Sequence, residues 1–195
     1  DTLLQALKAN FEGFEDLRQS LLSRAPKYGN DIEEVDSLAG RLANDFIDLM
    51  DTMRSPLNGR YVVHLFTFRL NIEFGKMVGA TPDGRYAGTT LADGTASPVQ
   101  GGDTRGPTAM LRSAAKLDQS LCASTLLNVK LNPSFLASRE DLEKLAGLVK
   151  AYAAMGGKWI QFNVVGNRQL LEAQKFPERH RDLIVRVAGY SAYFV

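Results

Sequence analysis

Cysteine is almost missing from this chain. The one present, Cys122, excludes an internal disulfide and a Cys-x-x-Cys metal site. Histidine is scarce too: His64 and His180 stand far apart, so a compact histidine-based zinc site is excluded and no metal centre is expected. Long hydrophobic runs are lacking. Tyr61-Val62-Val63 and Ile184-Val185 fall far short of the ~20 apolar residues that span a bilayer. No basic, apolar, small-residue leader opens the sequence. Charge of one sign is not in excess: 23 Lys+Arg face 22 Asp+Glu, which argues against a nucleic-acid or polybasic membrane binder. The remaining composition is that of a folded protein. Hydrophobic residues make up 45% of 195, enough for a core and too many for disorder.

Hydrophobic spacing supplies the elements. Leu3, Leu7, Phe11, Phe14, Leu17 and Leu21 recur every three or four residues and predict one helix with an apolar face. Pro26 and the turn Tyr28-Gly29-Asn30 end it. A second amphipathic helix starts near Asp31 and runs through Val35, Leu38, Leu42, Phe46 and Leu49 to the breaker Ser55-Pro56-Leu57-Asn58-Gly59. Tyr61 to Phe68 is aromatic and β-branched, hence strand-like. From Gly75 to Gly106 eight glycines, Pro82, Pro98 and the Asp83-Gly84 turn predict a long ordered loop; Tyr86, Leu91 and Val99 distinguish it from a flexible linker.

Pro107 suits the first position of a helix reaching about Gln119. Leu126 to Leu131 reads as a strand. Ser138-x-x-Asp141 is a capping-box start for a helix with Leu142, Leu145, Leu148, Val149 and Tyr152 inward, closed by Gly156-Gly157. Trp159 to Val165 is a strand, Asn167 to Gln174 a short helix, and Leu183 to Val187 a strand. This alternation predicts an α/β fold with parallel pairing. The sequence also opens inside a helical pattern and stops on the apolar Tyr193-Phe194-Val195, which leads us to expect a piece of a longer protein.

Few residues invite chemistry. Residues 76–85, with Gly75 before them, invite a phosphate-loop reading, but no Gly-Lys-Ser/Thr follows and no Gly-x-Gly-x-x-Gly stands between a strand and a helix, so a turn-rich structural loop is the plainer reading. Cys122 lacks a nearby charge to lower its pKa and reads as a small buried hydrophobe. His64 reads as a structural histidine and His180, among Glu178, Arg179 and Arg181, as a surface one. Strand alternation puts Gln161 and Asn163 on one face and Phe162 and Val164 on the other. The two amides either fix a nearby loop or face a polar cavity. Gly189, between a strand and an aromatic tail, suits a tight turn.

The segment Arg186-Val187-Ala188-Gly189-Tyr190-Ser191-Ala192 closely resembles the signature of glycyl radical enzymes of the pyruvate formate-lyase/glycerol dehydratase type. Gly79-Ala80-Thr81-Pro82-Asp83-Gly84-Arg85, Leu91-Ala92-Asp93-Gly94, Gly106-Pro107-Thr108-Ala109 and Gln161-Phe162-Asn163-Val164-Val165 resemble that family's C-terminal region in the same order. The resemblance covers essentially the whole chain. It implies the C-terminal part of a ten-stranded α/β barrel, with residues 1–74 from the barrel and 75–195 a glycyl radical domain truncated at its end.

By the same resemblance, Gly189 stores the radical, Arg186, Tyr190, Gln161 and Asn163 support its loop, and Phe66 and Phe68 line the substrate pocket. Position 66 is Phe where the family often has Tyr, which removes one donor for a substrate oxygen. Arg69 and Glu73 either recognise a charged substrate or face solvent. The resemblance further implies an S-adenosylmethionine-dependent iron–sulfur activating enzyme as partner, a small-molecule substrate, a homodimer and an anaerobic, cytoplasmic setting. Tyr190-Ser191-Ala192 favours the dehydratase and C–X lyase branch over the pyruvate formate-lyase-type acyltransferase, where Tyr-Ala-Val is expected. A free-standing radical subunit complementing a partner enzyme is the alternative.

The family's Cys-x-Glu motif is absent, and Cys122 does not stand at its position. The chain alone is therefore expected to turn over no substrate. Anaerobic assay of candidate alcohols and amines after addition of activator checks this, and turnover would overturn it.

Overall fold

In a computed structural model the chain is described over residues 1–67, 70–181, 183–187 and 190–193; for Asn167, 184–187 and 190–193 the description is of the backbone. Helices α1 (Thr2–Lys8) and α2 (Glu15–Arg24) replace the single helix expected there. The break has a cause. Phe11 takes φ 64° and Gly13 φ 75°, which turns the chain and buries Phe11 to 1% exposure, its ring edge-on to Tyr86 at 6.2 Å. A left-handed Phe costs ~1 kcal/mol, less than burying its ring returns. The Asn10 side chain fixes the break by accepting from Ala87 N–H at 2.7 Å.

Helix α3 (Glu33–Thr52) forms as expected, but its apolar stripe points outward. Leu38, Leu42, Phe46 and Leu49 are all at least half exposed, whereas Asp36 is buried and Ala39 and Ala43 pack on the core. The expected strand 61–68 shrinks to β1 (His64–Leu65), paired in parallel with β2 (Ser124–Thr125). Helix α4 (Leu70–Met77) was not legible, because its inward residues are Asn71 and Gly75 while Leu70, Phe74 and Met77 face out. Gly75 is required there: a Cβ would lie 2.5 Å from the Thr89 carbonyl.

The glycine-rich stretch is ordered, as expected. Arg85 donates to the carbonyls of Val78 and Gly79 just past α4 and to that of Thr89. Arg18 donates to Gly84 O at 2.8 Å and stacks on Tyr86. These bonds make the Gly79–Arg85 motif a structural turn.

Helix α5 (Gly106–Ala115) begins with Pro107 in its first turn and ends earlier than Gln119, which opens a short 3-10 turn. Strand β3 (Leu127–Leu131) leads through α6 (Arg139–Ala154) to β4 (Ile160–Val164), paired in parallel with β3. The predicted capping box is present: Ser138 and Asp141 exchange side-chain-to-backbone bonds at 3.1 Å each. Of the expected inward positions Tyr152 is buried and Leu142 is exposed. Helix α7 (Asn167–Lys175) and the antiparallel strands β5 (Ile184–Val187) and β6 (Tyr190–Tyr193) complete the α/β arrangement. No helix among the described residues is long and apolar enough to cross a membrane.

The core lies between α5, α6 and one face of β3–β4: Met110, Leu111, Leu127, Val129, Leu131 and Tyr152. Inside it, Gln119 donates to Ala114 O and Tyr152 Oη and accepts from Thr125 Oγ1 and Lys158 N–H. The turn before α3 is tied to the glycine-rich stretch. Asn30, 3% exposed, donates to Gly102 O at 2.6 Å and accepts from Thr104 and Arg105 N–H. Asp31 N–H donates to Ser113 Oγ, and Lys116 bridges Asp31, Glu33 and the buried Asp36.

Asn30→Ala would strand the Arg105 amide, remove the donor to Lys27 O, and leave Thr104 N–H and Gly102 O with only their mutual bond at 3.2 Å. We expect a loss of about 2–4 kcal/mol of unfolding free energy, read from urea denaturation.

Candidate functional site

The parallel pair β3–β4 has two unlike faces. The register sets Asn128 beside Gln161 and Lys130 beside Asn163, and in a parallel pair such partners share a face. That face is a polar wall, as alternation predicted for Gln161 and Asn163. The opposite face carries Leu127, Val129, Leu131, Ile160 and Phe162 into or against the core.

A cavity of about 540 Å³ opens over the wall, bounded by Asn128, Lys130, Asn163, Asp93, Ser97 and Asp103 among others. Gln161, beside Asn128 in the register, is 7% exposed and is not among the residues lining the cavity. The Asp93–Ser97 turn is pinned to the wall: Asn128 Nδ2 donates to Asp93 O and Asn128 N–H to Ser97 Oγ, both at 3.0 Å. Burial raises the Asp93 carboxyl above the usual carboxylate range, against the pull of hydrogen bonds from Asn128 and Ser97. The wall thus sets amide and ammonium groups beside a carboxyl.

Strand β5 lies next to β4. It pairs with β6 from Ile184 opposite Tyr193 to Val187 opposite Tyr190. Only Ala188 and Gly189 separate the two strands in sequence, and both lie outside the described residues. So the elements carrying Gln161 and Asn163 adjoin the strand of Arg186, and the backbone of Tyr190 pairs across from it.

The other candidates sit elsewhere. Phe66 is half-buried, its ring 5.4 Å from that of Trp159. Phe68 and Arg69 lie outside the described residues, and Glu73 is an exposed partner of Lys76 at 3.1 Å. Cys122 is 3% exposed and burial pushes its thiol pKa up, in keeping with a small buried hydrophobe. His64 Nδ1 is 2.8 Å from Ser124 Oγ across β1–β2. His180 is half-buried rather than on the surface, packed near Glu172. Among the described residues no cluster of three or more His, Cys, Asp or Glu could hold a metal ion.

Sequence reasoning missed Asn128, Lys130 and Ser97. The alternation within Leu127–Leu131 could have placed the first two on one face; nothing marked Ser97.

The family model described as glycine radical matches residues 92–195, more than half of the chain, and that described as pyruvate formate lyase-like matches residues 1–75. The chain belongs to the glycyl radical enzyme family. It is similar to trans-4-hydroxy-L-proline dehydratase of Clostridioides difficile, 43% identical over all of this chain and 24% of that protein. The crystal structure of that dehydratase with its substrate bound superposes with a TM-score of 0.95, again over 100% of this chain and 24% of that one. The B12-independent glycerol dehydratase of Clostridium butyricum superposes with a TM-score of 0.89 at 43% identity, over 97% of this chain and 24% of that one. Isethionate sulfite-lyase of Bilophila wadsworthia is 40% identical over 100% of this chain and 24% of that protein. This glycyl radical chain thus spans about a quarter of the length of the relatives it matches.

Asp93 titrates higher folded than unfolded, so it contributes stability that is present below the unfolded value near 4 and is lost as pH rises through the folded value. In Asp93→Asn that loss should disappear: the decline in urea midpoint from pH 4 to 7 should be smaller than in the parent chain.

Proposed function

We propose that this chain is the radical-bearing C-terminal part of a glycyl radical dehydratase or C–X lyase acting on a small polar substrate. The observation that carries the reading is the placement of the Arg186–Ala192 motif. Its described strands pair with Val187 opposite Tyr190, only Ala188 and Gly189 stand between them in sequence, and β5 lies next to β4, the strand of Gln161 and Asn163.

The chemistry follows from glycine. A hydrogen atom leaves the Gly189 Cα, and the remaining electron is shared with the adjoining amide and carbonyl once the centre flattens. A Cβ would crowd that plane and shield the hydrogen. An activating enzyme using S-adenosylmethionine and an iron–sulfur cluster would remove the hydrogen; position and shielding fall to this chain. A cysteine outside this sequence then returns a hydrogen to Gly189, and its thiyl takes one from a substrate carbon. In this reading Gln161 and Asn163 steady the hairpin of Arg186 and Tyr190 from the wall, and Phe66 and Phe68 line the substrate pocket.

The barrel reading draws support from the outward stripe of α3. Leu38, Leu42, Phe46 and Leu49 stand 50–71% exposed in a row, a patch that a soluble protein keeps covered. In a ten-stranded barrel the rest of the enzyme would cover it. The two family matches, ending at 75 and starting at 92, support a division into barrel segment 1–74 and radical domain 75–195. Relatives named as dehydratases and a sulfite-lyase support the lyase branch over acyl transfer. A homodimer in an anaerobic cytoplasm accompanies this reading, because dioxygen destroys carbon-centred radicals.

Electron paramagnetic resonance under anaerobic activation tests it. The parent protein should give a doublet and Gly189→Ala none. Silence of the parent with an activator proven on another substrate protein, or an equal signal in the variant, would sink the reading.

A further inference from the structure

A second, larger cavity of about 890 Å³ lies between α2, the turn before α3, and the glycine-rich stretch, and shares Val99, Gln100 and Gly101 with the cavity over the wall. Its lining is unbalanced in charge. Arg18, Arg24, Lys27, Arg85 and Arg105 all border it, against one carboxylate, Asp83. Asp83 is already engaged, accepting from Thr81 Oγ1. The whole chain carries a net charge of only +1, so this is a local concentration of cations.

Two of the five are spent on structure. Arg85 uses all its nitrogens on Thr81 and three carbonyls, and Lys27 Nζ donates to Leu21 and Ala25 carbonyls at the end of α2. The other three keep donors in reserve. Among the described residues Arg18 uses only Nε for hydrogen bonding, Arg105 only one terminal nitrogen, and Arg24 none. Between them, Leu22, Leu91 and Val99 give the cavity an apolar side. The volume falls in the range of small-ligand sites, roughly 300–1,000 Å³.

We propose that this cavity binds a small organic anion bearing two or more acidic oxygen groups, held by Arg18, Arg24 and Arg105 with its carbon skeleton against Leu22, Leu91 and Val99. Guanidinium groups suit such a ligand because their paired N–H donors match carboxylate or phosphate oxygens. The proposal stands whether or not Gly189 carries a radical.

Isothermal titration calorimetry of the intact protein tests this, with citrate and 2-phosphoglycolate as probes. At least one should bind saturably and more weakly at higher salt. Arg24→Gln, which breaks no bond found among the described residues, should weaken binding at least tenfold. Lys150→Gln, an equal charge loss at an exposed position of α6, should leave it unchanged. Absence of saturable binding, equal weakening by both variants, or preference for an acidic heptapeptide over both anions would overturn the proposal.

Discussion

The carboxamide of Asn30 joins two parts of the chain more than seventy residues apart. It donates to Lys27 and Gly102 carbonyls and accepts from the amides of Thr104 and Arg105. The stretch from Gly75 to Gly106 has little regular structure beyond α4, so its backbone groups have no ladder to satisfy them. Buried without partners, each would cost about 1–3 kcal/mol. Polar side chains at fixed points supply the partners: Asn30 for 102–105, Arg85 for 78–79 and 89, Asn10 for 87, Asn128 for 93. The loop is held by Arg85 from within and by Asn10, Asn30 and Asn128 from outside, and the cation-lined cavity and the edge of the polar wall are both built from its bonded segments.

The helices around it are inside out. Helix α3 turns Asp36, Ala39 and Ala43 inward and its Leu and Phe stripe outward; α4 turns Asn71 and Gly75 inward. Small inward residues let backbone approach backbone, as Gly75 does against Thr89. The buried Asp36 is tolerated because Ser113 and Lys116 both bond it. The large outward side chains leave an apolar face exposed on a chain that spans a quarter of its relatives' length.

Much of this was legible from residue order. The capping box at Ser138, the β3 and β4 strands, the α5 start at Pro107 and the two-faced character of Gln161-Phe162-Asn163-Val164 all rest on local spacing, and all are present. What failed, failed for physical reasons. The break at Asn10–Gly13 interrupts a good helical period because Phe11 gains more by docking on Tyr86. Strand β1 is short because only a few residues find a partner in β2. Helix α4 was invisible because its core-facing residues are an amide and a glycine.

Order along the chain therefore determined which residues share a face, where helices start, and that a glycine near the end sits in a radical-enzyme signature. Periodicity and caps act between near neighbours, and near neighbours are what a sequence displays. Only the folded chain decided which face turns inward, which loop Asn30 grips, and which distant arginines meet around one cavity. Those outcomes depend on contacts between segments tens of residues apart, whose energies no local pattern encodes.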